Sequence, residues 1–384
     1  MFTNSIFLKS FLRNKAEDKM KKKLKSILKE KNQLFKSMSK NYIDNYDFKK
    51  IKKISKKNNI RLIGMGGSIL GSQAIYNFLK DKINNKFNFI DNLNSIKIRP
   101  DSKNVTNLII SKSGNTLETI SNVNIHIEKK DKNIFITENK MSYLYELAHH
   151  LKAEIVHHNN FIGGRYSVLS EVGMLPAELM GLKPSKFRQF NNVIKNRNFL
   201  NALVQNTNSI LYFSKKKKYN SIILNYDTKS HYLFNWYQQL VAESLGKKGK
   251  GILPIISTMP KDNHSVMQLY LDGFKSNFFT FFYCKDENST RLNNSKLLNN
   301  HKYLGSSKIN EIIFKQKKAT ENVFKKKKIP FRSFEIKKRD EKTLGEIFCY
   351  FILETILLGR ALNVNPFDQP SVELIKKETK KLFS

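Results

Sequence analysis

Short apolar runs of strand length recur along this chain, each followed by a loop or a helix-like stretch. Residues 61–65, 107–111 and 132–137 make up a first set, and a second begins at 221–225 and continues through 278–283. Strands alternating with helices indicate parallel sheets built from βαβ units, so the expected fold class is α/β. The expected layout is two three-layer α/β/α sandwiches with helical segments at both ends. A Lys-rich helical arm is expected at 1–57, where Leu24, Ile27, Leu28, Leu34 and Phe35 fall near helical spacing. The first α/β unit is placed at 58–200, the second at 201–345, and a C-terminal helical segment at 346–384. After Lys342 a long helix is expected to stop at Gly359 or at Asn365-Pro366, with a shorter Lys-rich helix beyond.

Composition narrows the function classes. The 384 residues allow two or three domains and a large core. There are 69 Lys+Arg against 32 Asp+Glu, a formal charge of +37. The surplus is mostly Lys and spread over the whole chain with no recognition motif, whereas a DNA footprint would be a patch. It reads as a solvated basic surface that helps steer an anionic small substrate, and no nucleic-acid partner is expected. Cys284 and Cys349, the two cysteines, lie far apart without metal-ligand spacing. That argues against a disulfide framework and a cysteine zinc site and fits a reducing compartment. The eight histidines are scattered, so no metal is expected. The best apolar run, 348–358, is too short to cross a bilayer and carries Glu354, so no membrane partner is expected. The basic N-terminus lacks the apolar core and cleavage site of a secretory signal; an amphipathic first helix and a cytoplasmic location are expected.

Two loops carry the chemistry. Gly64-Met-Gly-Gly-Ser-Ile-Leu-Gly71 follows a strand and opens a helix. Glycine lets the backbone turn sharply and approach a ligand, and a helix N-terminus presents N–H groups to an anion. A dinucleotide fingerprint would need a small residue at Ile69, so NAD is rejected and no cofactor is expected. Ser111-Lys-Ser-Gly-Asn-Thr116 also follows an apolar strand and precedes a helix beginning near Leu117. Its Ser111, Ser113 and Thr116 hydroxyls, its backbone N–H groups and Lys112 make a phosphate cradle. Two such loops at the C-terminal ends of parallel strands converge where doubly wound sheets bind ligands.

These loops and four further stretches resemble the sugar isomerase (SIS) fold as the phosphoglucose isomerase family uses it. The stretches are Gly163-Gly-Arg-Tyr-Ser-Val168, Trp236-Tyr-Gln-Gln-Leu-Val-Ala-Glu-Ser244, Asn263-His-Ser-Val-Met-Gln268 and Asn365-Pro-Phe-Asp-Gln-Pro-Ser-Val-Glu373. The resemblance implies two SIS-type sandwiches, a metal-independent aldose–ketose isomerase acting on glucose 6-phosphate and fructose 6-phosphate, and a homodimer with shared active sites. An isomerase that also takes mannose 6-phosphate and a non-catalytic sugar-phosphate sensor are the alternative readings.

Such an isomerisation needs one carboxylate over two neighbouring carbons, taking a proton from one and returning it to the other. Glu243 lies in a helix-like stretch with Gln239 one turn earlier on the same face. The resemblance implies that Glu243 is the family's proton-transfer base. It also implies that Arg165 stabilises the enediolate, that His264 from the neighbouring subunit opens the sugar ring, and that Lys376 assists at the ring oxygen. The resemblance further implies that Ser68, Ser111, Lys112, Ser113 and Thr116 hold the phosphate, and Gly67 is expected among the substrate-binding residues. Gly164 and Gln239 are expected to bind substrate as well, and the resemblance implies that Gln369 and Glu118 line the site, a cap of the helix that begins there being the other reading of Glu118. Asn115, Asn263 and Ser371 depart from the family's common threonine, glutamine and glycine. Gly246-Lys-Lys-Gly-Lys-Gly251 reads either as a turn closing the site or as a surface loop.

Overall fold

Residues 6–9 carry Ile6 and Leu8 toward the core and Phe7 toward solvent, which is the period of a strand. The computed structural model describes residues 2–11, 18–54, 59–94 and 105–383. In it β1 (Ile6–Lys9) pairs antiparallel with a strand at 331–336, at the edge of an otherwise parallel sheet. This corrects the amphipathic first helix and the wholly helical arm expected at 1–57. Four residues of period two add an edge strand, and the first helix starts only at Asp18–Leu28, where Met20, Leu24 and Ile27 form the buried stripe. The arm's expected end, at residue 57, lies outside the described residues.

The first sheet contains β2 (Asn59–Gly64), β3 (Lys86–Ile90), β4 (Thr106–Ile110), β5 (Lys132–Thr137) and β6 (Glu154–His157). All are parallel, in the order β3-β2-β4-β5-β6. Strand β4 is buried along its whole length, as a strand covered on both faces must be. The second sheet adds β7 (Asn220–Asn225), β8 (Leu253–Thr258), β9 (Asn277–Cys284) and β10 (Phe331–Ile336), in the order β1-β10-β9-β7-β8. In the first sheet the chain's direction of travel reverses between β2 and β4. Both glycine- and hydroxyl-rich loops therefore leave strand ends that flank the switch point, where ligands bind in such sheets.

The units are fused more closely than the expected boundaries suggest. Helices Arg197–Lys215 and Glu341–Ala361 run through the divisions placed at 200 and 345, because their apolar faces are shared. One core continues from Ile60 and Leu62 of β2 to Ile223 and Phe282 of the second sheet. Asp340 caps the long helix by accepting from the Thr343 N–H at 2.9 Å. The helix passes through Gly359, where an added Cβ would lie 3.0 Å from Pro366, so that glycine serves close packing. It stops after Ala361, with Asn363 left-handed at φ +54° and the Val364 N–H returning to the Gly359 carbonyl. Glu354, the acid inside the most apolar run, is buried against Arg332 of β10 and accepts from the Tyr350 hydroxyl at 2.9 Å. Among the described residues no helix is long and apolar enough to cross a membrane. Helix Leu70–Phe78, which follows the first loop, packs on helix His231–Leu245 of the second unit. The switch-point crevice is thereby brought against the helix that carries Glu243.

Candidate active site

The site is assembled where backbones meet without side chains between them. The first loop becomes a 3₁₀ turn, Gly66–Ser68, and Gly164–Leu169 forms another. A Cβ on Gly67 would stand 2.2 Å from the Gly164 carbonyl carbon and 2.6 Å from the Arg165 nitrogen. Gly66 is left-handed at φ +53°, and a Cβ there would lie 2.7 Å from Gln239 Nε2. The loop is thus wedged between the Arg165 turn on one side and the Glu243 helix on the other.

Arg165 is only 2% exposed, and all five of its N–H groups are used. Nε donates to Ser244 Oγ at 2.8 Å. One terminal nitrogen donates to Glu243 Oε2 at 3.2 Å and Gln369 Oε1 at 2.6 Å. The other donates to the carbonyls of Pro366 at 2.7 Å and Asp368 at 3.0 Å. The Tyr166 hydroxyl donates to the Pro366 carbonyl and pairs with Ser244 Oγ, both at 2.9 Å, and burial raises its pKa. Trp236 Nε1 donates to the Arg165 carbonyl at 3.2 Å. The guanidinium is a fixed cation before any ligand arrives.

Glu243 lies in the last turn of its helix with its side chain 30% exposed. Oε2 faces Arg165, and Oε1 accepts from Gln239 Nε2 at 3.0 Å. This carboxylate is held from two sides and open on a third, which suits a base that must reach a substrate carbon. Gln239 Oε1 is buried with no donor among the described residues. The 246–251 turn clamps the C-terminal segment that supplies Arg165 with acceptors. Lys247 binds the Asn365 carbonyl and Asp368 Oδ1, and Lys250 donates to the Leu362 carbonyl at 2.8 Å. The Lys247 hydrogen bond lowers the Asp368 carboxyl below its ordinary range.

The second loop keeps its hydroxyls at the strand end. Ser111 Oγ and Thr116 Oγ1 lie 3.0 Å apart, Ser113 is exposed, and Thr116 precedes helix Leu117–His126 in the extended N-cap position. Gly114, at φ +64°, has room for no side chain because Ser142 Oγ would lie 2.0 Å from its Cβ. Asn115 Oδ1 accepts from the Tyr143 N–H at 2.9 Å and pins the loop to the next helix. Ser68 and Glu118 both lie partly exposed, Ser68 at the end of the 3₁₀ turn and Glu118 in the first turn of helix Leu117–His126.

The phosphoglucose isomerase family model matches residues 4–384. The chain belongs to the phosphoglucose isomerase family. A glucose-6-phosphate isomerase of Methanocaldococcus jannaschii is 34% identical over 354 residues, covering 88% of this chain and 86% of the relative. Among solved structures, a hypothetical protein from Thermus thermophilus matches at TM-score 0.82 and 20% identity, covering 96% and 94% of the two chains. A glucose-6-phosphate isomerase from Chlamydia trachomatis matches at TM-score 0.71 and 17% identity, covering 91% and 78%. At those identities the two structures speak to the fold alone.

Within this family member, the fold brings Gly67, Gly164, Arg165, Gln239, Glu243 and Gln369 into one connected cluster. Eight expected residues stand outside it: Ser68, Ser111, Lys112, Ser113, Thr116 and Glu118 on the two loops, and His264 and Lys376 elsewhere. His264 ends an exposed 3₁₀ turn, Lys261–His264, and neither it nor Lys376 bonds to Glu243, Arg165 or Gln239. Lys376 pairs with Glu373 at 2.6 Å on helix Val372–Phe383, which has no buried residue. The Lys112 ammonium turns to the Asn160 carbonyl at 2.9 Å and to Glu138 at 3.4 Å. Sequence reasoning missed Ser244, Tyr166 and the carbonyls of Pro366 and Asp368. The two side chains lay inside quoted motifs, adjacent to Glu243 and Arg165, and adjacency was the available signal.

Proposed function

We propose that this chain is an aldose–ketose isomerase that interconverts D-glucose 6-phosphate and D-fructose 6-phosphate. The observation that carries the reading is the pairing of a half-open Glu243 carboxylate with the saturated Arg165 guanidinium at 3.2 Å, beside the first glycine turn. The hydroxyls of Ser68, Ser111, Ser113 and Thr116 hold the phosphate, fixing the open chain at its far end so that binding energy orients the reacting carbons. Glu243 takes the proton from C2 of the aldose while the C1 oxygen gains one, giving the cis-enediol(ate). It then returns the proton to C1 as the C2 hydroxyl becomes the ketone. Arg165 stabilises the charge that develops on the sugar oxygens, and the unpartnered Gln239 Oε1 accepts from a sugar hydroxyl. Gln369, Gly164 and Glu118 line the remainder, and Lys112 adds its charge at the phosphate end.

An exposed His264 fits a residue that completes a neighbour's site, so the active unit is a homodimer in which the partner subunit's His264 opens the ring. Lys376 reaches the ring oxygen only if its helix moves inward from the exposed position it holds here. The reading places the protein in the cytoplasm. The test is a coupled assay on fructose 6-phosphate with wild type and Glu243→Gln, alongside size-exclusion chromatography. Loss of the base should lower kcat by roughly 10²–10⁴-fold. An inactive wild type, or a variant with unchanged turnover, overturns the assignment, and an active monomer overturns the shared site.

A further inference from the structure

A second cavity, of about 550 Å³, lies where β9 and β10 begin, and none of the residues around Arg165 and Glu243 lines it. Two four-lysine runs of the sequence, 215–218 and 325–328, meet there. Both follow the same local logic. Helices Arg197–Lys215 and Ile309–Lys326 each end with a left-handed lysine, Lys217 at φ +57° and Lys328 at φ +56°. The next N–H, of Lys218 or Ile329, returns to a phenylalanine carbonyl, Phe213 or Phe324, at 2.9 Å. The runs therefore peel off their helices at the cavity mouth.

Among the described residues six lysines line the cavity (Lys216, Lys218, Lys275, Lys325, Lys327 and Lys328) and no Asp or Glu does. In the whole chain acids and bases stand at 32 to 69, so six charged residues in that proportion would include about two acids, where this lining shows none. None of the six pairs with a carboxylate among the described residues; Lys218 donates to the Lys275 carbonyl. Helix C-termini welcome lysine, which accounts for those in or just after the last turns but not for Lys275. Burial and the neighbouring Lys275 both lower the Lys218 pKa, as expected where cations crowd. The floor is aromatic and buried (Phe11, Phe213, Phe279, Phe331), and the rim carries Tyr270 and a 55%-exposed Phe274.

Lysine ammoniums are point charges that suit phosphate oxygens at varied angles, and an aromatic rim offers a flat ring a face to stack on. The volume lies in the range of small-molecule sites. We propose that this cavity binds a nucleoside triphosphate, with its phosphates on the two lysine runs and its base against Tyr270 and Phe274.

Calorimetric titration at about 0.1 M salt with magnesium-free ATP and with inorganic tripolyphosphate tests this on wild type, Lys216→Glu/Lys327→Glu and Phe274→Ala. Charge reversal should weaken both ligands by at least about 10-fold. Phe274→Ala should weaken ATP by at least about 5-fold while leaving tripolyphosphate unchanged. Circular-dichroism melting checks that each variant is folded. The proposal is overturned if ATP does not bind, or binds no tighter than tripolyphosphate. It is equally overturned if charge reversal leaves ATP affinity intact, or if saturating fructose 6-phosphate abolishes ATP binding, which would put the nucleotide in the sugar site.

Discussion

The contact between Gly67 and Gly164 is asymmetric, and that asymmetry can be measured. A Cβ on Gly67 meets backbone at 2.2, 2.4 and 2.6 Å, namely the Gly164 carbonyl group and the Arg165 nitrogen. Carbon atoms settle at roughly 3.5–4 Å, so Gly67→Ala must push the facing backbone segments apart by more than about 1 Å. Neither segment is the end of a flexible side chain, and overpacking of this kind costs about 1–3 kcal/mol. A Cβ on Gly164, by contrast, has Gly67 Cα as its nearest neighbour at 3.9 Å, an ordinary contact. Gly164→Ala should therefore be neutral or gain about 0.4–1 kcal/mol from the stiffened unfolded chain. Urea denaturation of the two variants against wild type reads this difference. Turnover supplies a second reading for Gly67→Ala, since a shift of about 1 Å between Arg165 and Glu243 should cost on the order of 100-fold in kcat/KM. Equal destabilisation by the two alanines, or a Gly67→Ala enzyme of wild-type stability and rate, refutes the reasoning.

Two further outcomes follow from buried charge. Glu354→Gln strands the Arg332 guanidinium, which is fully buried, and should cost about 3–5 kcal/mol in urea denaturation, whereas Arg332→Met/Glu354→Leu should restore most of it. A double variant as unstable as the single one contradicts this. Burial, with Lys112 adding to it, pushes the His158 imidazole down from 6.5 to about 4. The unfolded imidazole then takes up its proton near 6.5 and the folded one only near 4, so stability is full above 6.5 and falls as pH is lowered between the two. From pH 7 to 5 that loss is about 2 kcal/mol for this group. Glu171 and Glu346, raised by burial, act in the opposite sense in wild type and variant alike and cancel in the difference. The stability gap between wild type and His158→Asn should change by that amount over this range; a gap independent of pH rules it out.

What the sequence made legible was local. The strand–loop–helix order, the glycines of the first turn and the hydroxyls of the second could be read because each requirement is met within a few residues. Helix periodicity placed Gln239 one turn before Glu243, and the two do bond at 3.0 Å. Strand β1 escaped notice because four residues of alternation are too short to stand out from a Lys-rich helical pattern. The Arg165 network escaped because its partners lie 79 positions away at Ser244 and 201 away at Pro366, and backbone carbonyls leave no mark in residue identity. Gly359 was read as a stop because glycine often ends helices; only its neighbour Pro366 reveals that it is there for closeness. Lys376 was selected by spacing from Gln369, and spacing says nothing of a helix whose faces are all exposed.

The two sides of the candidate site come from different sheets, and their alignment depends on what Arg165 is bonded to. Ser244, Pro366 and Asp368 fix the plane of the guanidinium through three hydrogen bonds from its Nε and one terminal nitrogen. The remaining nitrogen points its two N–H groups at Glu243 and Gln369, the partly exposed side of the group. A cation built this way does not reorient when charge develops beside it, which is the condition under which a fixed charge lowers a barrier without reorganisation. The Lys247 and Lys250 clamps extend that rigidity, since the acceptors at Pro366 and Asp368 sit on the segment they hold. This set of polar contacts lies one residue from the Gly67–Gly164 seam, so a disturbance of that seam can reach Glu243 by two routes, through Arg165 and through Gln239, which Gly66 abuts.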